Sequence, residues 1–209
     1  MNAEEYKDLQ KALYAPSSKK PAILQIPAMR FAMVNGKGDP NVSRDFEDAV
    51  GALYSLSYTA KFLPKKGVVP EGYFDYRVSA LEGLWDMPEG TDFTGFNKAD
   101  FVWTLMVMQP DFMTEGLFSD IVRQLKKSKP NPALDKLYFK TFEEGLSCQI
   151  LHIGPYDAEP ATFEAMERFT EEQGYRRTEK RHHEIYMNDS RRTSPEKLKT
   201  ILRFKVEKK

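Results

Sequence analysis

The 209-residue sequence predicts an α+β fold built on one antiparallel sheet, and three observations predict it. Strand-like and helix-like stretches alternate along the chain. The order strand, turn, helix, strand, further strand occurs twice, first through Gly36-Lys37-Gly38-Asp39-Pro40 and a strand bearing Glu82, then through Gly154-Pro155-Tyr156 and a strand bearing Glu184. Each β-α-β-β unit is too small to enclose a good core, so the two are expected to share a sheet. Helices then lie on one face, with a central ligand groove between them.

The elements follow in order. Residues 1–20 are charged and form an arm or short helix, and residues 21–209 form a single domain with halves of about 21–130 and 131–209. Ala22 to Ile26 and Arg30 to Val34 read as strands, the second running into turn residues. Ser43 caps a long helix whose acidic first turn suits the helix dipole. Phe46, Ala49, Val50, Leu53 and Ala60 give its core stripe, and Tyr54, Tyr58 and Phe62 recur every four residues, a row expected to pack against a sheet. Tyr73 to Val78 and Ser79 to Trp85 read as strands, and Met87 to Ala99 as a loop. Phe101 to Met108 is so apolar that both faces should be covered, or one should line an apolar cavity. Thr114 starts the next helix, and Lys126 to Pro132 is the joint between halves. Leu137–Phe142 and Leu146–Ile153 read as a hairpin. A helix ending at Gly174, the strand Arg181 to Met187, a proline-led turn at Ser194-Pro195-Glu196 and a strand over Thr200 to Val206 complete the chain.

Composition excludes several functions. Lysine plus arginine equal aspartate plus glutamate at 31 each, so no global field favours nucleic acid or an anionic membrane. No apolar run is long enough to span a membrane, and the polar N-terminus does not resemble a signal peptide. A single cysteine, Cys148, cannot form a disulfide framework, which points to the cytoplasm. His182 and His183 are adjacent on a strand and face opposite sides, and His152 has no ligand-like spacing to either, so no metal or other cofactor is expected. The segment Gly36-Lys37-Gly38 lacks the rest of a phosphate loop.

Candidate chemistry centres on Glu184 and Tyr186, which share one face of their strand because side chains alternate with period two. Glu184 is either an exposed strand residue or the acidic floor of an aromatic pocket. Glu82 is its counterpart in the repeat, beside Gly83, so two carboxylates could approach one pocket. Trp103 and Trp85 can stack on a flat ligand or fill space, with Tyr76 and Tyr54 as further wall candidates. Glu159 sits at a helix start and can reach the groove mouth.

Several motifs occur together and in order: Asn35 to Pro40, Leu81-Glu82-Gly83-Leu84-Trp85, Met106 to Phe112, Gln149 to Tyr156, His182 to Tyr186 and Arg191 to Thr200. In this the chain resembles the stand-alone GyrI-like small-molecule-binding proteins over roughly residues 15 to 206. The relatives of that family include the ligand-binding domains of multidrug-sensing activators and a gyrase-inhibitory protein. The resemblance implies a pseudo-twofold pair of β-α-β-β units and an aromatic pocket with Glu184 at its floor, taking planar aromatic or cationic compounds. It also implies hydrolysis of cyclopropanoid electrophiles, with Glu184 activating water, Tyr186 or Tyr76 bonding the oxygen that gains charge, and Trp103 stacking on the ring system. Non-catalytic sequestration and action on a protein partner such as gyrase are the alternatives. The sequence has no helix-turn-helix segment before residue 22. A monomer or homodimer is expected.

Overall fold

The structure, a computed structural model, describes residues 2–88 and 97–209, so the centre of the expected loop from Met87 to Ala99 lies outside the described residues. The chain runs α1 (Ala3–Leu13), β1 (Ala22–Ile26), β2 (Met29–Lys37), α2 (Arg44–Lys61), β3 (Leu81–Asp86), β4 (Val102–Gln109), α3 (Glu115–Ser128), β5 (Tyr138–Phe142), β6 (Gly145–Ile153), α4 (Glu159–Glu172), β7 (Tyr175–Arg177), β8 (His182–Tyr186) and β9 (Lys199–Lys208). Helix starts are fixed by short polar side chains that satisfy otherwise orphaned amides. Ser43 accepts from the Phe46 amide and Thr114 from the Leu117 amide, while Asn2 and Glu5 form a reciprocal capping box.

The sheet is antiparallel in the order β1-β6-β9-β8-β3-β4-β2-β5, with β7 pairing the far end of β9. The two halves meet at its centre, where β3 of the first lies against β8 of the second. At the rims they exchange strands. β1 leads into β2 yet pairs with β6, and β5 leads into β6 yet pairs with β2. The expected hairpin between β5 and β6 therefore does not form. Each strand instead finds an apolar partner in the opposite half, a choice that local turn residues cannot reveal. The stretch from Tyr73 to Val78 is not a strand either; it is an aromatic loop, with Tyr73, Phe74 and Tyr76 packed against Phe112.

The helices α2, α3 and α4 cover one face. Leu53, Leu56, Phe118 and Ile121 join Val34, Leu105 and Val107 in one apolar cluster, and Met166 joins Cys148, Leu202 and Phe204 in another. The arm helix α1 covers the opposite face, where Tyr6 and Leu13 pack with Phe31, Met33, Leu84 and Met106. The expectation of helices on one face thus holds for α2 to α4 and is corrected for α1. No described helix is long and apolar enough to cross a membrane.

Candidate functional site

Between α2 and α4, above the β3–β8 seam, lies an open groove of about 2230 Å³. Its floor is set by register. Gly83 stands directly opposite Glu184, and Leu81 opposite Tyr186, so these four share the groove face. With no side chain at Gly83, the space beside Glu184 is filled from its flanks. A Cβ there would stand 2.7 Å from Trp85 Nε1 and 3.3 Å from the Tyr186 hydroxyl.

A chain of hydrogen bonds converges on Glu184. Trp85 Nε1 donates to the Tyr186 hydroxyl at 2.8 Å, and that hydroxyl donates to Glu184 Oε2 at 2.8 Å. His182 Nε2 lies 2.9 Å from Glu184 Oε1. Burial and the neighbouring Glu184 push the Tyr186 phenol well above its ordinary pKa, so it stays a donor. The His182 ring is wedged edge-on against Phe163 of α4, at 4.8 Å between centroids, which fixes its direction.

Glu159, in the first turn of α4, brings a second carboxyl to the same place. It is 5% exposed and lines the same groove, with its Oε1 buried and without a hydrogen-bond partner among the described residues. Burial first, and then Glu184, hold its pKa well above the carboxylate range. Two acids brought into one partly desolvated site raise the pKa of at least one of them in this way.

Aromatic rings supply the walls. Trp85 is stacked with Phe46 of α2 at 6.0 Å and meets Phe101 edge-on at 5.3 Å, and Tyr156 meets Tyr186 edge-on at 6.1 Å. Tyr54 and Tyr58 line the α2 side. Their row does not pack under a sheet as expected, since Tyr58 is 47% exposed and stacks on Phe62 along the outer helix surface.

The structure thus brings Glu184, Tyr186, Trp85, Tyr54 and Glu159 to one groove and separates the other three candidates from it. Glu82 is directly opposite Ile185, which places it on the far face of the sheet. There it accepts from the Tyr14 hydroxyl at 2.6 Å, and its Oε2 lies 2.9 Å from His183 Nε2, close enough for charge pairing though off the line of a well-aligned hydrogen bond. Trp103 is on the groove face but sealed beneath Phe46, with its ring occupying the space a Cβ on Gly36 would need. Tyr76 is buried on the far face with Tyr6 and Phe112. His182 was open to discovery from period two alone, since it stands two residues before Glu184. Phe46 and Phe163 lie on apolar helix faces, and helical periodicity alone does not tell which residues of such a face meet the groove wall.

The far face holds a second polar cluster. Arg203 reaches Glu144 at 3.0 Å, Gln149 at 2.8 Å and the Leu13 carbonyl at 3.3 Å, and His183 Nδ1 lies 2.9 Å from Glu144. Burial opposes charge on both acid and base here, but opposite charges outweigh it. Glu144 falls to about 2 under His183 and Arg203, and His183 rises to about 9 beside Glu144 and Glu82. The Glu144 carboxylate therefore sits between two cationic groups, His183 and Arg203, in the core. Cys148 is buried and its thiol is pushed up to about 12, which makes it inert. Among the described residues no group of three or more His, Cys, Asp or Glu side chains is arranged to hold a metal ion.

The sequence matches the GyrI-like small molecule binding domain over residues 19–207. The chain belongs to the GyrI-like family. Among solved structures, this GyrI-like chain is similar to a hydrolase from Listeria innocua, with 36% identity, a TM-score of 0.89, and coverage of 97% of this chain and 98% of that one. An uncharacterized conserved protein from Listeria innocua is 37% identical, with a TM-score of 0.87 and the same coverage. The C-terminal domain of EcmrR shares the fold at 13% identity, with a TM-score of 0.51 over 91% of this chain and 98% of that domain. A comparison with curated proteins finds no match.

Proposed function

We propose that this GyrI-like protein binds planar aromatic or cationic small molecules in the groove and hydrolyses cyclopropanoid electrophiles there, protecting the cell from alkylation. The observation that carries this reading is Glu184, set in an aromatic groove with both oxygens oriented by His182 and Tyr186. Its relative described as a hydrolase, 36% identical over nearly the whole chain, supports the catalytic half.

In the proposed reaction a flat ligand slides between the Trp85 and Tyr54 sides, and Glu184 holds a water against the strained ring. A carboxylate has about four lone-pair positions, so two hydrogen bonds leave room for that water. Glu184 takes a proton from the water as the new C–O bond forms. The breaking C–C bond sends its electron pair into the conjugated carbonyl, whose oxygen then takes up a proton, and the net change is addition of one water. Tyr186 acts as a positioning residue here, because its hydroxyl hydrogen is committed to Glu184. Fixing the base before substrate arrives removes the cost of ordering it during reaction.

The test is incubation with a cyclopropane-bearing alkylator and mass spectrometry of the product. A water adduct is expected with the native protein, and Glu184→Gln should lower its rate by at least about 100-fold, the lower end of the range for a general base. Retained binding without any adduct would leave only sequestration, and an unchanged rate in the variant would move the base elsewhere.

A further inference from the structure

His183 stands on β8 between His182 and Glu184, with its side chain buried on the far face of the sheet. Each ring nitrogen meets a carboxylate. Nδ1 lies 2.9 Å from Glu144 Oε2, between β5 and β6, and Nε2 lies 2.9 Å from Glu82 Oε2 on β3. The two contacts brace different joints. Glu144 is also held by Arg203, which stands directly opposite His183 on β9. Glu82 pairs across the seam with Ile185, so its contact with His183 runs diagonally, from the residue before Gly83 to the residue before Glu184. Straight cross-strand pairs keep two strands from parting, whereas a diagonal contact resists the small slips that the backbone ladder still permits. Slip matters here because Gly83 and Glu184 face each other on the groove side, with Trp85 and Tyr186 filling the space beside them.

We infer that His183 is a positioning residue for the groove floor: its diagonal contact with Glu82 fixes how β8 lies along β3, and thereby where Glu184 stands relative to Trp85 and Tyr186. The inference rests on the hydrolytic reading above and adds to it a residue that faces away from the ligand. The brace is itself held from outside the seam, since the Tyr14 hydroxyl, just past the end of α1, donates to Glu82 Oε1 at 2.6 Å. Losing the brace lets the floor slip while the walls on α2 and α4 stay in place, so kcat falls and KM does not. A misplacement of about 1 Å costs about 100-fold in rate, and a partial slip is expected to cost about tenfold.

Two variants divide the contacts, because glutamine places its amide nitrogen near the position of Nε2 and asparagine near that of Nδ1. His183→Asn keeps the Glu144 side and loses Glu82, whereas His183→Gln keeps Glu82. Steady-state kinetics with the cyclopropane-bearing alkylator should show His183→Asn lowering kcat about tenfold at unchanged KM. His183→Gln should retain most of the native kcat, although urea unfolding finds both variants destabilised. The indole N–H resonance of Trp85, which donates to Tyr186, should move in His183→Asn. That of Trp103, whose Nε1 has no hydrogen-bond partner among the described residues, should stay in place. Equal loss of kcat in the two variants, or a native kcat in His183→Asn, would overturn the inference. Should His183→Asn fail to fold, Tyr14→Phe removes one hydroxyl from Glu82 and is expected to move the Trp85 resonance; an unmoved resonance there defeats the inference as well. Absence of a water adduct from the native protein counts against the hydrolytic reading, and the two indole resonances then decide the positioning of the floor by themselves.

Discussion

A methyl group at position 83 is the smallest change that would test how the floor is assembled. Trp85 cannot yield to it easily, because Phe46 and Phe101 hold the indole on two sides. Gly83→Ala should push the indole away from Tyr186, loosen the hydroxyl that orients Glu184, and lower kcat/KM by on the order of 100-fold, the scale of an ångström-sized displacement. Steady-state kinetics with the alkylator checks this, and an unaltered rate would show that the Trp85–Tyr186 bond does not matter. Single residues were also where the sequence was least decisive. Period two placed Glu184 and Tyr186 together without error. It could not place Glu82, because facing across strands depends on register, and register at the β3–β8 seam joins residues about 100 positions apart. Trp103 misled for a different reason: an apolar strand signals burial, and burial beneath Phe46 is what removes it from the groove.

At the scale of elements, α1 behaves as part of the fold rather than as an appended arm. Its last residue, Leu13, gives a carbonyl to Arg203, and the next, Tyr14, gives its hydroxyl to Glu82. A polar cluster buried this deeply is costly to leave half-satisfied. Arg203→Met should therefore destabilise the protein by about 3–5 kcal/mol, the usual consequence of stranding a buried charge, and adding Glu144→Gln should recover part of that loss. Urea unfolding of the single and double variants measures both. The individual helices were legible from Ser43, Thr114 and their apolar stripes, since caps and periodicity are local. The cover that α1 provides was not, because its charged surface reads as solvated and its buried residues, Tyr6 and Leu13, are few.

For the whole molecule, the same cluster sets a pH window. His183 is raised from 6.5 to about 9, so its contribution is complete below about 6.5 and is lost as pH climbs through about 9. Glu144 is lowered from 4.5 to about 2, so its contribution is complete above about 4.5 and is lost as pH falls through about 2. Stability from this cluster should form a plateau between about 4.5 and 6.5 and decline on both sides, and His183→Gln should flatten the alkaline limb. Urea midpoints measured from acid to alkaline pH test the shape. The repeat of two β-α-β-β units was visible because order and spacing survive when sequence identity between the halves has faded. The traded rim strands were invisible, since nothing local distinguishes pairing with a neighbour from pairing with the distant half.

That central seam has a mechanical meaning. The β3 and β8 strands are joined by five residue pairs, with α2 resting on one side of the joint and α4 on the other. Adjacent strands in a sheet are rotated by roughly 20–25° from one another, so a small change of twist at one joint swings everything mounted beyond it. A change of twist at that joint would act as a torsion spring, widening or narrowing the groove between α2 and α4 while every β3–β8 pairing stayed in register.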